Sequence, residues 1–169
     1  MKRSAVALLL ALCGLTAYAP AQAQQPGNPL YFGAKIGLMD PDRGDEATNL
    51  GALVGYTLME DTNGSLAVEG EYTRTFDDGE IGGNDWDVET LAGYLAYRTA
   101  GNVFLKAKAG YGWWDVNVDG ATGFEGDDWD FTFGAGVGFR LSRKSGLELE
   151  YAVVQEDLNF ISLGFFTHF

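Results

Sequence analysis

From Leu30 to the last residue, apolar side chains alternate with polar or small ones at a period of two, interrupted at intervals by turn residues. Side chains along an extended strand point to opposite faces in turn, so this period predicts strands whose two faces meet different surroundings. Eight segments carry it: 30–38, 50–59, 66–75, 86–97, 103–113, 129–141, 147–154 and 158–169. The cleanest are the fifth and sixth. Leu105, Ala107, Ala109, Tyr111 and Trp113 oppose Lys106, Lys108, Gly110 and Gly112; Trp129, Phe131, Phe133, Ala135, Val137 and Phe139 oppose Asp130, Thr132, Gly134, Gly136, Gly138 and Arg140. In the fourth segment Val88, Thr90, Ala92 and Tyr94 are read as the apolar face, against Asp87, Glu89, Leu91 and Gly93. In the last, Ile161, Leu163, Phe165, Thr167 and Phe169 share one face, and Phe160, Ser162, Gly164, Phe166 and His168 the other.

The connections alternate in length. Residues 61–64, 99–102 and 142–146 are short hairpin turns with Gly, Asn and Ser, whereas 39–49, 77–85 and 116–128 are longer and polar, and 155–157 is tight. Each strand is near the ~10 residues that cross a bilayer at a tilt. A soluble barrel that alternates would turn its apolar face inward. Here that face carries Trp113, Trp129, Phe131, Phe133, Phe139, Tyr151 and Phe165, more bulk than an eight-stranded interior holds, while the opposite face is glycine-rich. The apolar face therefore points outward. Trp86, Trp113 and Trp129 beside the long connections, and Phe139 and Phe169 at the other end, suggest two interfacial girdles.

The first 23 residues read as a signal peptide: basic Lys2 and Arg3, an apolar run from Ala5 to Ala17, and Ala21-Gln22-Ala23 as a cleavage site. The mature chain is expected to start at Gln24; an alternative cut after Ala19 would leave Pro20 at the scissile bond. The lone Cys13 lies inside the apolar run, and Leu12 before it is too large for lipoprotein processing. Residues 24–169 then carry no thiol, hence no disulfide and no thiolate site. They suffice for one domain, and no segment among them approaches the ~20 apolar residues of a membrane helix. A chain of formal charge −13, more negative still without Lys2 and Arg3, offers no basic patch for nucleic acid.

These features, above all Ala107-Lys-Ala-Gly-Tyr-Gly-Trp113, Phe133-Gly-Ala-Gly-Val-Gly-Phe-Arg140 and the terminal aromatic strand, resemble the small eight-stranded OmpA/OmpX/Ail-type outer-membrane barrels across residues 24–169. The resemblance implies an all-β fold, an eight-stranded antiparallel up-and-down transmembrane β-barrel of meander topology, in the outer membrane of a Gram-negative cell. It implies the termini and short turns in the periplasm and the long loops outside. It also implies that the closing strand, through Ile161, Leu163, Phe165 and Phe169, serves as the mark read by the barrel-assembly machinery. Outer-membrane lipid and lipopolysaccharide are the expected surroundings, and a monomer is expected. Unlike full-length OmpA proteins, this sequence shows no periplasmic peptidoglycan-binding domain.

In this register Lys35, Lys106, Lys108 and Arg140 project to the lumen with Glu69, Glu71, Glu89, Glu148 and Glu150. Charges in a narrow, low-dielectric interior are costly unless paired, which predicts an ion-paired plug; the alternative is a narrow pore whose pairs exchange to open. The long connections are acidic, with Asp40, Asp42, Asp45, Glu46, Asp77, Asp78, Glu80, Asp85, Asp119, Glu125, Asp127 and Asp128 against Arg43. They read as a solvated surface, or as carboxylates that bind divalent cations or other surface ligands. Asp115-Val-Asn-Val-Asp-Gly120 copies the start of a calcium loop, but Gly126 stands at its twelfth position. Some barrels of this size act on lipid A through a histidine and a serine. Here His168 and Ser162 lie six residues apart, about 20 Å along a strand, so no catalytic residue and no cofactor are expected. The expected role is structural or surface-displaying, with a narrow channel as the alternative and a lipid A-modifying enzyme as a remote one.

Overall fold

The computed structural model describes residues 28–41, 45–81, 83–118, 126–155 and 158–169. The predicted signal peptide, Gln24, Asp42, Arg43, Asp119, Gly120, Glu125 and Asp157 lie outside them. The alternating segments form β1 (Leu30–Pro41), β2 (Ala47–Glu60), β3 (Gly64–Asp77), β5 (Asn84–Thr99), β6 (Val103–Val118), β7 (Gly126–Arg140), β8 (Ser145–Gln155) and β9 (Leu158–His168). A three-residue strand, β4 (Gly79–Ile81), folds back on the start of β5. Each long strand pairs antiparallel with its sequence neighbours. The sheet closes where β1 meets β9, with Lys35 opposite Gly164, and no edge is left because β3 also pairs β5. The result is a closed eight-stranded up-and-down barrel. Closure satisfies the backbone groups of every strand, the condition for crossing a membrane without helices.

The face of each strand follows from its side chains. Phe32, Ile36, Val54, Val68, Leu95, Phe131, Phe133 and Leu163 are about half exposed on the outside. So continuous an apolar surface exceeds anything a soluble monomer carries and marks a lipid-facing wall. Ile161, Leu163, Phe165 and Phe169 all belong to it, and Phe169 packs on Phe32 with ring centroids 5.0 Å apart.

Three expectations change. The strands run further than the apolar pattern: β1 reaches Pro41, β6 reaches Val118 and β7 begins at Gly126, so the loops are shorter than 39–49 and 116–128. Backbone pairing continues above the membrane because hydrogen bonding does not need apolar side chains. A 16-residue strand such as β6 is about 50 Å long, or about 40 Å of height at a barrel tilt, against an apolar band of about 25 Å. Asp115 and Asn117, the start of the calcium-loop look-alike, are accordingly strand residues paired with Glu89 and Asp87.

The second and third corrections concern β5. Its inward face is Trp86, Val88, Thr90, Ala92, Tyr94, Ala96 and Arg98, the reverse of the reading from pattern. Trp86 is not a girdle residue: it is 1% exposed inside the barrel, and its Nε1 donates to the Asp45 carbonyl at 3.0 Å. Glu89 is not in the lumen: it lies on the outer face, where its carboxylate accepts a hydrogen bond from Tyr72. The face of mixed Val, Thr, Ala and Tyr suits a polar interior layer, whereas Leu91, Leu95 and Tyr97 suit lipid.

Candidate functional site: an ion-pair plug in the lumen

Five strands deliver eight charged side chains to the middle of the lumen. Lys35 comes from β1, Glu69 and Glu71 from β3, Arg98 from β5, Lys106 and Lys108 from β6, and Glu148 and Glu150 from β8. None is more than 5% exposed. The pairs at i and i+2 share a face because strand side chains repeat every second residue. The remaining strands offer glycine at this level. A Cβ on Gly51 would stand 2.8 Å from Lys35 Cγ, and one on Gly134 3.2 Å from Lys108 Cε. Charged strands and glycine strands are thus complementary halves of one packing solution.

Every carboxylate meets at least two cations. Lys35 Nζ donates to Glu71 Oε1 at 2.9 Å and to Glu150 Oε1 at 3.1 Å. Lys108 Nζ lies 2.7 Å from both Glu71 Oε2 and Glu150 Oε1, with its ammonium 3.9 Å from the centre of the Tyr94 ring. Lys106 Nζ bridges Glu69 Oε2, Glu148 Oε2 and Glu150 Oε2 at 2.9, 3.1 and 2.9 Å. The Arg98 guanidinium donates to Glu69 and Glu148 and, through Nη1, to Tyr31 Oη at 2.8 Å; Tyr31 in turn donates to Glu69 Oε1 at 2.7 Å. Four cations and four anions make a neutral set. Neutrality matters because a lone charge in this dielectric would cost several kcal/mol, whereas a fully bonded pair can offset its own desolvation.

Apolar layers flank the set on both sides, although at the turn end Arg98 also lines a small pocket with Glu60, Arg140, Arg143 and His168. Toward the short turns lie Tyr31, Leu53, Ala67, Phe104 and Phe166; toward the long loops lie Met39, Ala47, Trp86, Val88, Val118, Leu158 and Phe160. Between the charges and the second layer, Thr73 bonds Thr90 at 2.7 Å and Tyr94 bonds Thr132 at 3.2 Å. Two glycines make room for the first layer. A Cβ on Gly55 would overlap the Tyr31 ring, and one on Gly138 the Phe104 ring. The lumen is a filled core of apolar, ionic, polar and apolar levels.

Of the lumen residues expected from the sequence, Lys35, Glu69, Glu71, Lys106, Lys108, Glu148 and Glu150 come together here, and Glu89 does not. Arg140 stands apart, half-buried at the turn end. Its Nε donates to the Gly101 carbonyl at 3.0 Å, and its guanidinium lies 5.2 Å from the Phe104 ring centre. The cation that sequence reasoning missed is Arg98, one residue beyond the predicted end of its strand. Charge balance was a signal against one acid, since five acids against four bases leaves a buried carboxylate unpaired; Arg98 was hidden by the inverted face of β5, which it shares with Val88 and Tyr94.

Elsewhere, His168 sits at the turn end with Nδ1 3.2 Å from the Asn28 carbonyl and its ring 4.9 Å from that of Tyr31, while Ser162 is buried in the lumen. Asp45, Glu46, Asp77, Asp78, Glu80, Asp85 and Asp128 are exposed at the loop end. Among the described residues, no three acidic or histidine side chains converge in a way that could hold a metal ion.

Three solved barrels show the same fold. Neisserial surface protein A superposes with a TM-score of 0.58 at 14% identity, over 84% of this chain and 98% of that one. The N-terminal β-barrel domain of OprF from Pseudomonas aeruginosa gives 0.58 at 15%, over 86% and 100%. The outer-membrane enzyme PagL gives 0.52 at 15%, over 82% and 99%. No curated protein sequence matches this one. The family model described as outer membrane protein beta-barrel domain matches residues 5–168. Together with the closed lipid-facing barrel, that match shows that this chain belongs to the outer-membrane β-barrel family of Gram-negative bacteria.

Proposed function

We propose that this protein is a sealed structural barrel of the outer membrane, exported through a cleaved signal peptide, that reinforces the envelope and holds four hairpins at the cell surface. The observation that carries the reading is the neutral eight-charge set enclosed by two apolar layers. A conducting pore needs a continuous polar path, and here both ends of the charged level abut aromatic and aliphatic side chains. The ion pairs also join strands that are not neighbours. Lys35 ties β1 to β3 and β8, and Lys106 ties β6 to β3 and β8, so a one-residue slip of any of these strands would break several bonds at once. The plug thereby fixes register as well as blocking flow.

An acyl-transfer or deacylase activity is not part of the reading. A nucleophile and its base must approach within hydrogen-bond reach; Ser162 is buried beside the charged level, and His168 is at the turn end against Asn28 and Tyr31. The test is genetic. Cells lacking the protein should leak periplasmic enzyme and become sensitive to bulky antibiotics, and a chain with its loop-end hairpins cut back to the membrane level should restore the barrier. If the shortened chain fails while the full chain succeeds, the task lies in the hairpins and the structural reading falls.

A further inference from the structure

The turn-end mouth of the lumen holds a small cavity of about 10 Å³, with Tyr31, Glu60, Arg98, Arg140, Arg143 and His168 in its walls. Arg98 is buried, and its charge is matched by Glu69 and Glu148. Arg140 and Arg143 are not matched. Neither forms an ion pair among the described residues, whereas each of the four lumen cations meets at least two carboxylates. Acids are not scarce in this chain, with 24 against 11 bases. Residues 1–27, which precede the first described strand, contain no Asp or Glu that could fill the gap. Glu60 is the one carboxylate in the cavity wall among the described residues, and it stays beyond ion-pair distance of both arginines. Asp61 nearby is spent on the N–H groups of Asn63 and Gly64.

Both arginines are held in place without a partner. The Nε of Arg140 donates to the Gly101 carbonyl at 3.0 Å and its guanidinium lies over the Phe104 ring, while its Nη donors have no acceptor among the described residues. Arg143 stands in the β7–β8 turn. There Ser142 Oγ accepts from the N–H groups of Lys144 and Ser145, both at 3.1 Å, and the Lys144 carbonyl accepts from the His168 N–H at 2.7 Å, which ties the turn to β9. Cations fixed around one cavity repel each other, and an anion between them relieves the repulsion. A volume of about 10 Å³ admits one water-sized atom and no more. The cavity therefore suits a single oxygen of a group that arrives from outside.

We infer that the turn-end mouth is a binding site for a terminal oxyanion, phosphate or carboxylate, presented end-on by a soluble molecule on that side of the membrane. One oxygen enters the cavity and the others pair with Arg140 and Arg143. Guanidinium groups suit this task because their donors match the spacing of oxyanion oxygens. The site lies outside the eight-charge set and uses neither of the apolar layers, so it stands or falls apart from the sealed-barrel reading.

Phosphate, acetate and chloride, titrated at constant ionic strength into the folded full chain in a maltoside detergent, test it. The amide and guanidinium signals of Arg140 and Arg143 are followed by NMR, and the gel shift checks that each variant is folded. Phosphate should move these signals along a saturating curve, and chloride should not. Arg143→Gln, a change at an exposed turn residue, should weaken phosphate about fivefold, the scale of an exposed ion pair. Lys144→Gln removes the same charge from the same turn without touching the cavity wall, and should leave the affinity unchanged. Glu60→Gln should tighten binding by removing the competing carboxylate. Phosphate ahead of acetate would name a phosphoryl end as the source of the group, and acetate ahead a carboxyl end; either upholds the site. A shift that never saturates would overturn it. So would equal weakening by Arg143→Gln and Lys144→Gln, or an affinity that Glu60→Gln leaves unaltered, since the mouth would then be reading bulk charge alone.

Discussion

Replacing Lys106 by Met removes the one cation that, among the described residues, touches three carboxylates. Its Nζ lies 2.9, 3.1 and 2.9 Å from Glu69, Glu148 and Glu150, and the residue is 2% exposed. Methionine keeps the length of the side chain, so the loss is of charge and hydrogen bonds more than of volume. Glu150 retains Lys35 and Lys108, but Glu69 and Glu148 are left to share Arg98. The eight-charge set then carries one uncompensated negative charge. Breaking a buried pair from one side costs about 3–5 kcal/mol, and the remaining contacts place this case near the lower end, about 3 kcal/mol. Unfolding of the barrel in lipid vesicles by urea, followed by tryptophan emission and by the gel shift of folded against unfolded protein, reads that change. The second half of the test is Lys106→Met with Glu148→Gln, which restores neutrality. The double variant should recover at least about 1 kcal/mol relative to the sum of the single changes, the coupling expected of residues in one network. A loss under about 1 kcal/mol for Lys106→Met, or strict additivity in the cycle, would refute the claim that the charges act as one neutral set.

Other consequences follow from the same register. Glu71→Gln should destabilise the barrel by about 3 kcal/mol while Glu89→Gln changes it by no more than about 0.5 kcal/mol in the same urea assay, because only the first faces the lumen. Gly138→Ala should cost about 1–3 kcal/mol by driving a methyl into the Phe104 ring, and Phe104→Leu in the same chain should return part of it. In the β2–β3 turn, the N–H groups of Asn63 and Gly64 donate to Asp61 at 2.7 and 3.0 Å and hold its carboxyl below the ordinary value. A lowered folded-state value means that this contribution is present above the unfolded pKa of about 4 and lost as pH falls through the folded one. Below pH 4, therefore, the unfolding midpoints of the natural chain and of Asp61→Ala should converge, the difference being confined to higher pH.

Much of this molecule can be read from a period of two. The alternation in 103–113, 129–141 and 158–169 gives strand, face and neighbour together, because large aromatics on one side and glycine on the other leave a single way to close eight strands. The pattern failed where the two faces were alike in polarity. In β5, Trp86 and Val88 are more apolar than Asp87 and Glu89 at the loop end, whereas Leu91 and Leu95 are more apolar than Thr90 and Tyr94 further along. The two halves of the strand point opposite ways, and only closure of the sheet decides which set is inside. The error moved Trp86 to the wrong wall and hid Arg98, although Arg98 supplies the guanidinium to which Glu69, Glu148 and Tyr31 all bond. Hairpin length was illegible for a different reason. Pairs such as Asp115 with Asp127 extend the ladder through residues with no hydrophobic signal.

Ion conductance in a planar bilayer, made with the folded chain and with the Trp86→Ala, Phe160→Ala double variant, bears most directly on the sealed lumen. The natural chain should be silent at about 1 M salt, where abundant charge carriers enlarge any leak and the Debye length of about 3 Å screens fixed charges that could repel ions from the mouth. The double variant, which removes the two largest side chains of the loop-end apolar layer, should stay silent as well, because the charged level beneath it is intact. Reproducible conductance steps from the natural chain would contradict the account and make the interior charges the lining of a pathway.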